Sequence, residues 1–192
     1  DEFGADAMRF TLAFLAAQGQ DVLIGKESFG VGSRFANKLW NASRYLLMNL
    51  EGRKILDFAS VPRNDVDKWI LHRLNETAAA VGDAFRNYRF NDAASACYDF
   101  FWNEFCDWYI ESTKLSLYSR DENEKDRAAT LLAGILEETL RLLHPLLPFI
   151  TEEIYQKLPR REEACIAAAF PACDPGRSYP EEAESYRTLQ EL

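Results

Sequence analysis

The chain has 192 residues, 47% of them hydrophobic and 13% aromatic, with a formal net charge of −9. That is enough apolar material for one substantial domain with a core, and it excludes a disordered chain. No apolar run is long enough to span a membrane, and Asp1-Glu2-Phe3-Gly4 lacks the basic start and apolar stretch of a secretory signal.

The first predicted element is a helix over residues 4–18, with Phe10, Phe14 and Ala17 on one side and Met8, Leu12 and Leu15 on another, so it is expected to be buried nearly all round. Gly19 ends it. Gly30 and Gly32 soften the entry to the second helix, whose start falls between Ser28 and Ser33 and whose end is near Leu50, with Gly52 as the stop. A connector over 53–63 leads to a third helix, capped by Asn64 or Asp65, with a stripe of Val66, Ile70, Leu74, Val81 and Phe85. Residues 87–92 break the pattern. Asn91 or Asp92 then caps a fourth helix carrying Ala94, Tyr98, Phe101, Phe105, Trp108 and Leu115, the most aromatic stretch and the expected middle of the core. Trp40, Trp102 and Trp108 are assigned to that core.

A fifth helix runs through Leu131, Leu132, Ile135, Leu136, Leu140, Leu143 and Leu147, with Pro145 and Pro148 ending or kinking it. A short helix over 151–158 places Glu152 and Glu153 in its first turn. Residues 164–170 could form a brief strand, and residues 181–192 begin another helix. Long helices joined by short connectors predict an all-α, antiparallel helix bundle over 1–160, with a small C-terminal appendage over 161–192. The lack of an initiator Met and the abrupt C-terminal helix lead us to expect a fragment of a longer protein.

The second helix has two unlike faces. Phe35, Leu39, Ala42, Leu46 and Leu50 form its apolar stripe, and Arg34, Asn37, Lys38, Asn41, Arg44 and Tyr45 gather opposite with no carboxylate among them. From Lys26 to Lys54 the cations Lys26, Arg34, Lys38, Arg44, Arg53 and Lys54 face only Glu27 and Glu51, a basic field on an acidic body. Amides hydrogen-bond, phenols stack, and Lys and Arg neutralise phosphate, so this face is the candidate working surface. Each of its residues taken alone has a plainer reading, as solvated surface for Lys38 and Arg44 or as helix cross-links for Asn37 and Asn41.

Chemistry is harder to find. Cys97, Cys106, Cys165 and Cys173 form no CxxC pair and His72 and His144 are the only histidines, which argues against zinc and for reduced structural thiols. Glu104 and Asp107 lack a third ligand, and His144 before Pro145 reads as a helix-end cap. No serine hydrolase triad and no P-loop can be assembled.

Four segments in order, GADAMRFTLA, KLWNASRYLLMNL, FNDAA followed by YDFFWNEFCDWYIESTK, and LRLLHPLLPFITEEIYQKL, resemble the C-terminal part of the valyl-tRNA synthetase family, from Gly4 to about Leu158. The resemblance implies the anticodon-binding helical bundle of a class I aminoacyl-tRNA synthetase. The parent would be a cytoplasmic valine–tRNA ligase using ATP and magnesium, with its catalytic and editing domains elsewhere, since no HIGH-type or KMSKS-type signature is present. This fragment would then carry no cofactor and no metal. It would be inactive alone and monomeric, bind a valine-accepting tRNA, and bind neither DNA nor membrane. The appendage would lead toward a coiled-coil arm. Carried over by motif, the tRNA-binding candidates are Arg34, Phe35, Asn37, Lys38, Asn41 and Arg44. For Phe35 two roles stand open, a ring stacked on a base and the core position that its place on the apolar stripe implies. A non-catalytic protein-interaction bundle is the alternative function.

Overall fold

The computed structural model describes residues 3–16, 19, 21–159 and 164–190. Its helices are α1 (Ala5–Leu15), α2 (Gly30–Leu50), α3 (Asp65–Arg86), α4 (Phe90–Asp99), α5 (Glu111–Leu117), α6 (Glu122–Leu143), α7 (Pro148–Tyr155) and α8 (Pro180–Gln190). A π-helical stretch, Phe100–Ile110, joins α4 to α5 in one continuous rod, and no strand occurs among the described residues.

Cross-links give the direction of each rod. Asp67 meets Tyr109, Arg73 meets Glu104, and Phe85 lies against Phe90, so α3 runs antiparallel to the α4–α5 rod. The end of α2 meets the start of α6, with Arg53 on Glu122, so these two are antiparallel as well. The bundle alternates up and down, as expected from its short connectors.

Local chemistry fixes the helix ends. Asn64 and Asp67 form a reciprocal capping box at α3, each accepting from the other's backbone N–H at 2.9 Å. Asp67 is also a tertiary hub, accepting from the Tyr109 hydroxyl at 2.8 Å and pairing with Arg127 of α6. Asp121 caps α6. Gly52 takes φ +74° just past α2, the left-handed stop that glycine allows. Helix α7 has no cap of its own. Buried Asp6 of α1 supplies one, accepting from the Phe149 and Ile150 N–H groups.

Several expectations are corrected. In α1 only one face is buried, through Asp6, Ala7, Phe10 and Thr11, while Met8 and Leu12 are exposed. The end of the predicted helix, at Ala17 and Gln18, lies outside the described residues. Gly32 is no soft entry: α1 crosses there so closely that a Cβ would stand 2.1 Å from the Ala7 carbonyl oxygen. The α4 helix starts at Phe90, because Tyr88 at φ 56° and a bond from Arg89 N–H to Ala84 O close the turn earlier than an Asn91 or Asp92 cap would.

Beyond Phe100 a buried stripe runs through Phe101, Phe105, Tyr109, Thr113 and Leu117, spaced by four, with Cys106 and Ile110 buried beside it. The wide π turns shift the phase of the stripe, which carries Trp108 and Leu115 out to solvent. Helix α7 begins at Pro148, not Thr151, so Glu152 and Glu153 sit past its first turn. The expected strand is a 3-10 turn, Cys165–Ala167, within an extended segment.

The predicted boundary near residue 160 falls among residues 160–163, outside the described ones. Beyond it the chain packs back on the bundle. Asn75 exchanges bonds with Asp174, Tyr186 stacks on Trp69 at 4.0 Å, and Arg177 pairs with Glu138.

Candidate functional site

Helix α2 is held by its apolar stripe, with Phe35, Leu39 and Leu46 wholly buried. Phe35 stacks on Phe10 at 4.5 Å and on Tyr98 at 5.2 Å, and meets Phe101 edge-on at 5.8 Å. Rings on three sides leave it no face for a base. Of the two roles open for Phe35, the structure takes the core one.

The opposite face of α2 is open. Arg34, Asn37, Asn41 and Arg44 are all exposed. Most cations of the chain are paired, as Arg73 is with Glu104, Arg127 with Glu124 and Arg177 with Glu138. Among the described residues Arg34 and Arg44 have no such acid, and the Asn37 and Asn41 amides have no protein partner.

Lys38 differs. Its ammonium donates to Asp107 at 2.8 Å and lies 5.0 Å from the Trp102 ring centre. The freedom from acid seen along α2 holds for the helix itself, while the neighbouring rod brings Asp107 and Glu111 beside it. Tyr45 is tied to the Tyr118 hydroxyl at 3.3 Å, and burial with that bond raises its pKa to about 12. Lys38, Asn41 and Tyr45 border a groove of about 310 Å³ between α2 and the rod.

Trp40 is the residue that helical periodicity missed. It is 40% exposed, on the same side as Arg44 and Met48, and with them lines a cavity of about 150 Å³ between α2 and α7. Its spacing of four to Arg44 and eight to Met48 was the available signal; assigning tryptophan to the core by residue type hid it.

The other sequence candidates are structural. Glu104 is tied to Arg73. Burial raises the Glu104 pKa and Arg73 opposes that. His144 caps α6, with Nδ1 2.8 Å from the Thr151 hydroxyl. The fold brings donor atoms of His144, Glu152 and Cys165 within 4.8 Å of one another, a grouping invisible in the spacing of the cysteines. Glu152 already accepts from the Cys165 N–H and from Gln156, and burial pushes the Cys165 thiol up to about 12, so these groups serve to tie the C-terminal segment to α7.

Comparison with known proteins places this architecture. The family described as "Anticodon-binding domain of tRNA ligase" matches residues 67–192, a stretch that begins after α2. Curated relatives also cover α2. A valine–tRNA ligase of Treponema pallidum is 64% identical over 81% of this chain and 16% of its own length. Those of Treponema denticola and Geobacter sulfurreducens are 51% and 47% identical over 100% of the chain, and 23% and 22% of theirs. The chain thus spans about a fifth of the length of these relatives. Among solved structures, a LeuRS–tRNA–LeuAMS ternary complex of Agrobacterium radiobacter K84 superposes with a TM-score of 0.73 at 20% identity, over 93% of this chain and 21% of that one. Family match, sequence identity and fold agree: the chain belongs to the anticodon-binding domains of tRNA ligases.

Proposed function

We propose that this chain recognises the anticodon of a valine-accepting tRNA, as the anticodon-binding part of a valine–tRNA ligase, and that the exposed face of α2 makes the contact. The observation that carries this reading is the set of Arg34, Asn37, Asn41 and Arg44, gathered on one helix face without a side-chain partner among the described residues, on an acidic body most of whose cations are ion-paired. Anticodon bases are unpaired and can be splayed out, so amides can read their polar edges and guanidinium groups can hold the intervening phosphates. Lys38 belongs to this set as a secondary cation whose charge is shared with Asp107. Phe35 supports the helix from below and drops out of the contact set.

In this reading the ATP- and magnesium-dependent transfer of valine occurs on other parts of the longer enzyme. This chain performs no chemical step and needs no cofactor. It acts as a cytoplasmic, monomeric module, with residues 1–160 forming the bundle and the segment that follows packed back against α3 and α6. Its net negative charge disfavours long-range attraction to DNA. No helix among the described residues is long and apolar enough to cross a membrane.

The test is binding of fluorescent anticodon stem–loops at several salt concentrations. A valine anticodon loop binds more tightly than loops with unrelated anticodons, and its affinity falls as salt rises. Equal affinity for all loops would overturn the reading.

A further inference from the structure

His144 closes α6, Glu152 lies in α7 and Cys165 opens the 3-10 turn beyond it, so three elements each send one side chain to the same place. One donor atom of each lies within 4.8 Å of the other two. Their existing bonds orient these groups without using up their lone pairs. The Thr151 hydroxyl donates to the Leu147 carbonyl oxygen at 2.7 Å, so it accepts from His144 Nδ1–H, which leaves the ring's lone pair on Nε2. Glu152 accepts from the Cys165 N–H and from Gln156, and a carboxylate has about four lone-pair directions. The Cys165 thiol and His144 Nε2 have no hydrogen-bond partner among the described residues, so the three donors stand close together without bonding one another.

Size and charge define what fits between them. A tetrahedral ion bound at about 2.0–2.3 Å by nitrogen, oxygen and sulfur sets its ligands roughly 3.3–3.7 Å apart. Closing to that spacing from within 4.8 Å takes about an ångström, a matter of side-chain rotation. A thiolate and a carboxylate cancel two positive charges, and Asp6 of α1 and Glu137 of α6 add negative potential nearby. Arg141 of α6 acts on the thiol with the opposite sign, and its Nε–H is buried without a partner, a donor that a thiolate would suit. Cys165 alone is held protonated by burial, whereas a bound ion would let it ionise. His144 and Glu152 are only half-buried, which leaves an ion and a water a way in.

We propose that His144, Glu152 and Cys165 form a structural zinc site, with water as the fourth ligand, that clips the end of α6, α7 and the C-terminal segment together. One imidazole, one carboxylate and one thiolate suit zinc, whereas calcium and magnesium take oxygen ligands. Binding expels the thiol proton to solvent. Cysteine spacing pointed away from zinc because only one of the four cysteines takes part; the other two ligands come from helices that the fold brings beside it. The site lies apart from the α2 face and does not depend on the RNA reading.

The experiment is titration of the metal-free chain with Co2+ and then with Zn2+. One equivalent of cobalt gives a thiolate-to-cobalt charge-transfer band and the strong visible bands of a tetrahedral ion, and zinc bleaches both. The urea midpoint rises with zinc concentration, since the folded chain alone presents the three ligands together. Cys165→Ser abolishes the charge-transfer band, while Cys173→Ser, at the exposed cysteine, leaves it unchanged. His144→Gln removes a ligand and Thr151→Val removes the group that sets the His144 tautomer, and each weakens zinc binding about 10- to 100-fold. Circular dichroism of the metal-free variants, unchanged from wild type, separates loss of the site from loss of the fold. Absence of the charge-transfer band, a band that survives Cys165→Ser, or a midpoint indifferent to zinc overturns the site, whatever RNA the chain binds.

Discussion

Replacing Gly32 by alanine tests how the working helix is seated. A Cβ at Gly32 would stand 2.1 Å from the Ala7 carbonyl oxygen and 2.7 Å from the Thr11 hydroxyl, where ordinary contact begins at 3.4 Å. The nearest obstacle is helix backbone, which has no rotamer to change, so α1 and α2 must part by roughly an ångström. That separation stretches the 3.1 Å bond from Gly32 N–H to Thr11 and loosens the Phe10–Phe35 stack. Overpacking of this kind costs about 1–3 kcal/mol, occasionally more. Alanine's better helix propensity recovers at most about 1 kcal/mol, and less in a first turn.

Two glycines supply the controls. Gly82 lies in α3 with its nearest obstacle, an Arg86 guanidinium nitrogen, at 3.6 Å, so Gly82→Ala should stabilise by up to about 1 kcal/mol. Gly134 faces the Phe58 ring at 2.4 Å, a side chain that can swing away, and its alanine variant should fall between the other two. Urea unfolding midpoints at constant slope measure all three. A Gly32→Ala chain as stable as wild type would refute the reasoning, because it would show that α1 does not press on α2.

Four further outcomes follow from the same structure. Arg44→Ala should reduce the salt dependence of RNA binding by about 0.7 in log–log slope, the value for one phosphate on a single strand, and Lys38→Ala by less because Asp107 shares its charge; a larger change for Lys38 would contradict this, as read by fluorescence anisotropy across a salt series. Asp67→Ala should cost about 1–3 kcal/mol, since it leaves the buried Tyr109 hydroxyl without an acceptor while Arg127 keeps Glu124; an unchanged midpoint by denaturant titration would show the hub to be dispensable. Trp69→Ala, at 2% exposure, should cost about 3–5 kcal/mol, and Trp108→Ala, at 40%, about 1 kcal/mol, mostly its edge-on contact with Tyr186; equal losses in thermal unfolding would be evidence against the phase shift in the rod. Burial lowers the His144 pKa below its usual 6.5, against the opposing pull of Glu152 and Asp6, so the folded chain binds fewer protons than the unfolded one. This contribution to stability is complete above that value and declines as pH falls through it toward the folded pKa; a His144→Gln chain with the same pH profile as wild type would rule it out.

Much of the fold was legible in residue order alone. The stripe Phe35, Leu39, Leu46 on α2, the Asn64 cap, the Gly52 stop and the prolines at 145 and 148 are local signals, and local geometry obeys them. The bundle follows from those signals taken in sequence, and the family from the resemblance carried by four segments of the chain. Tertiary structure decided which side chains remain available. Lys38 and Asp107 are 69 residues apart, and nothing in either helix alone announces their pairing. Trp40 and Trp108 are the residue type expected inside, yet one helix packs too narrowly to cover the first and a π segment turns the second outward. Phe35 sits one position from Arg34 on the same turn and still belongs to the core, because α1 folds over it. Periodicity tells which face of a helix is apolar; only the neighbours, placed by contacts distant in sequence, determine how much of that face is covered and which polar groups are left without a partner.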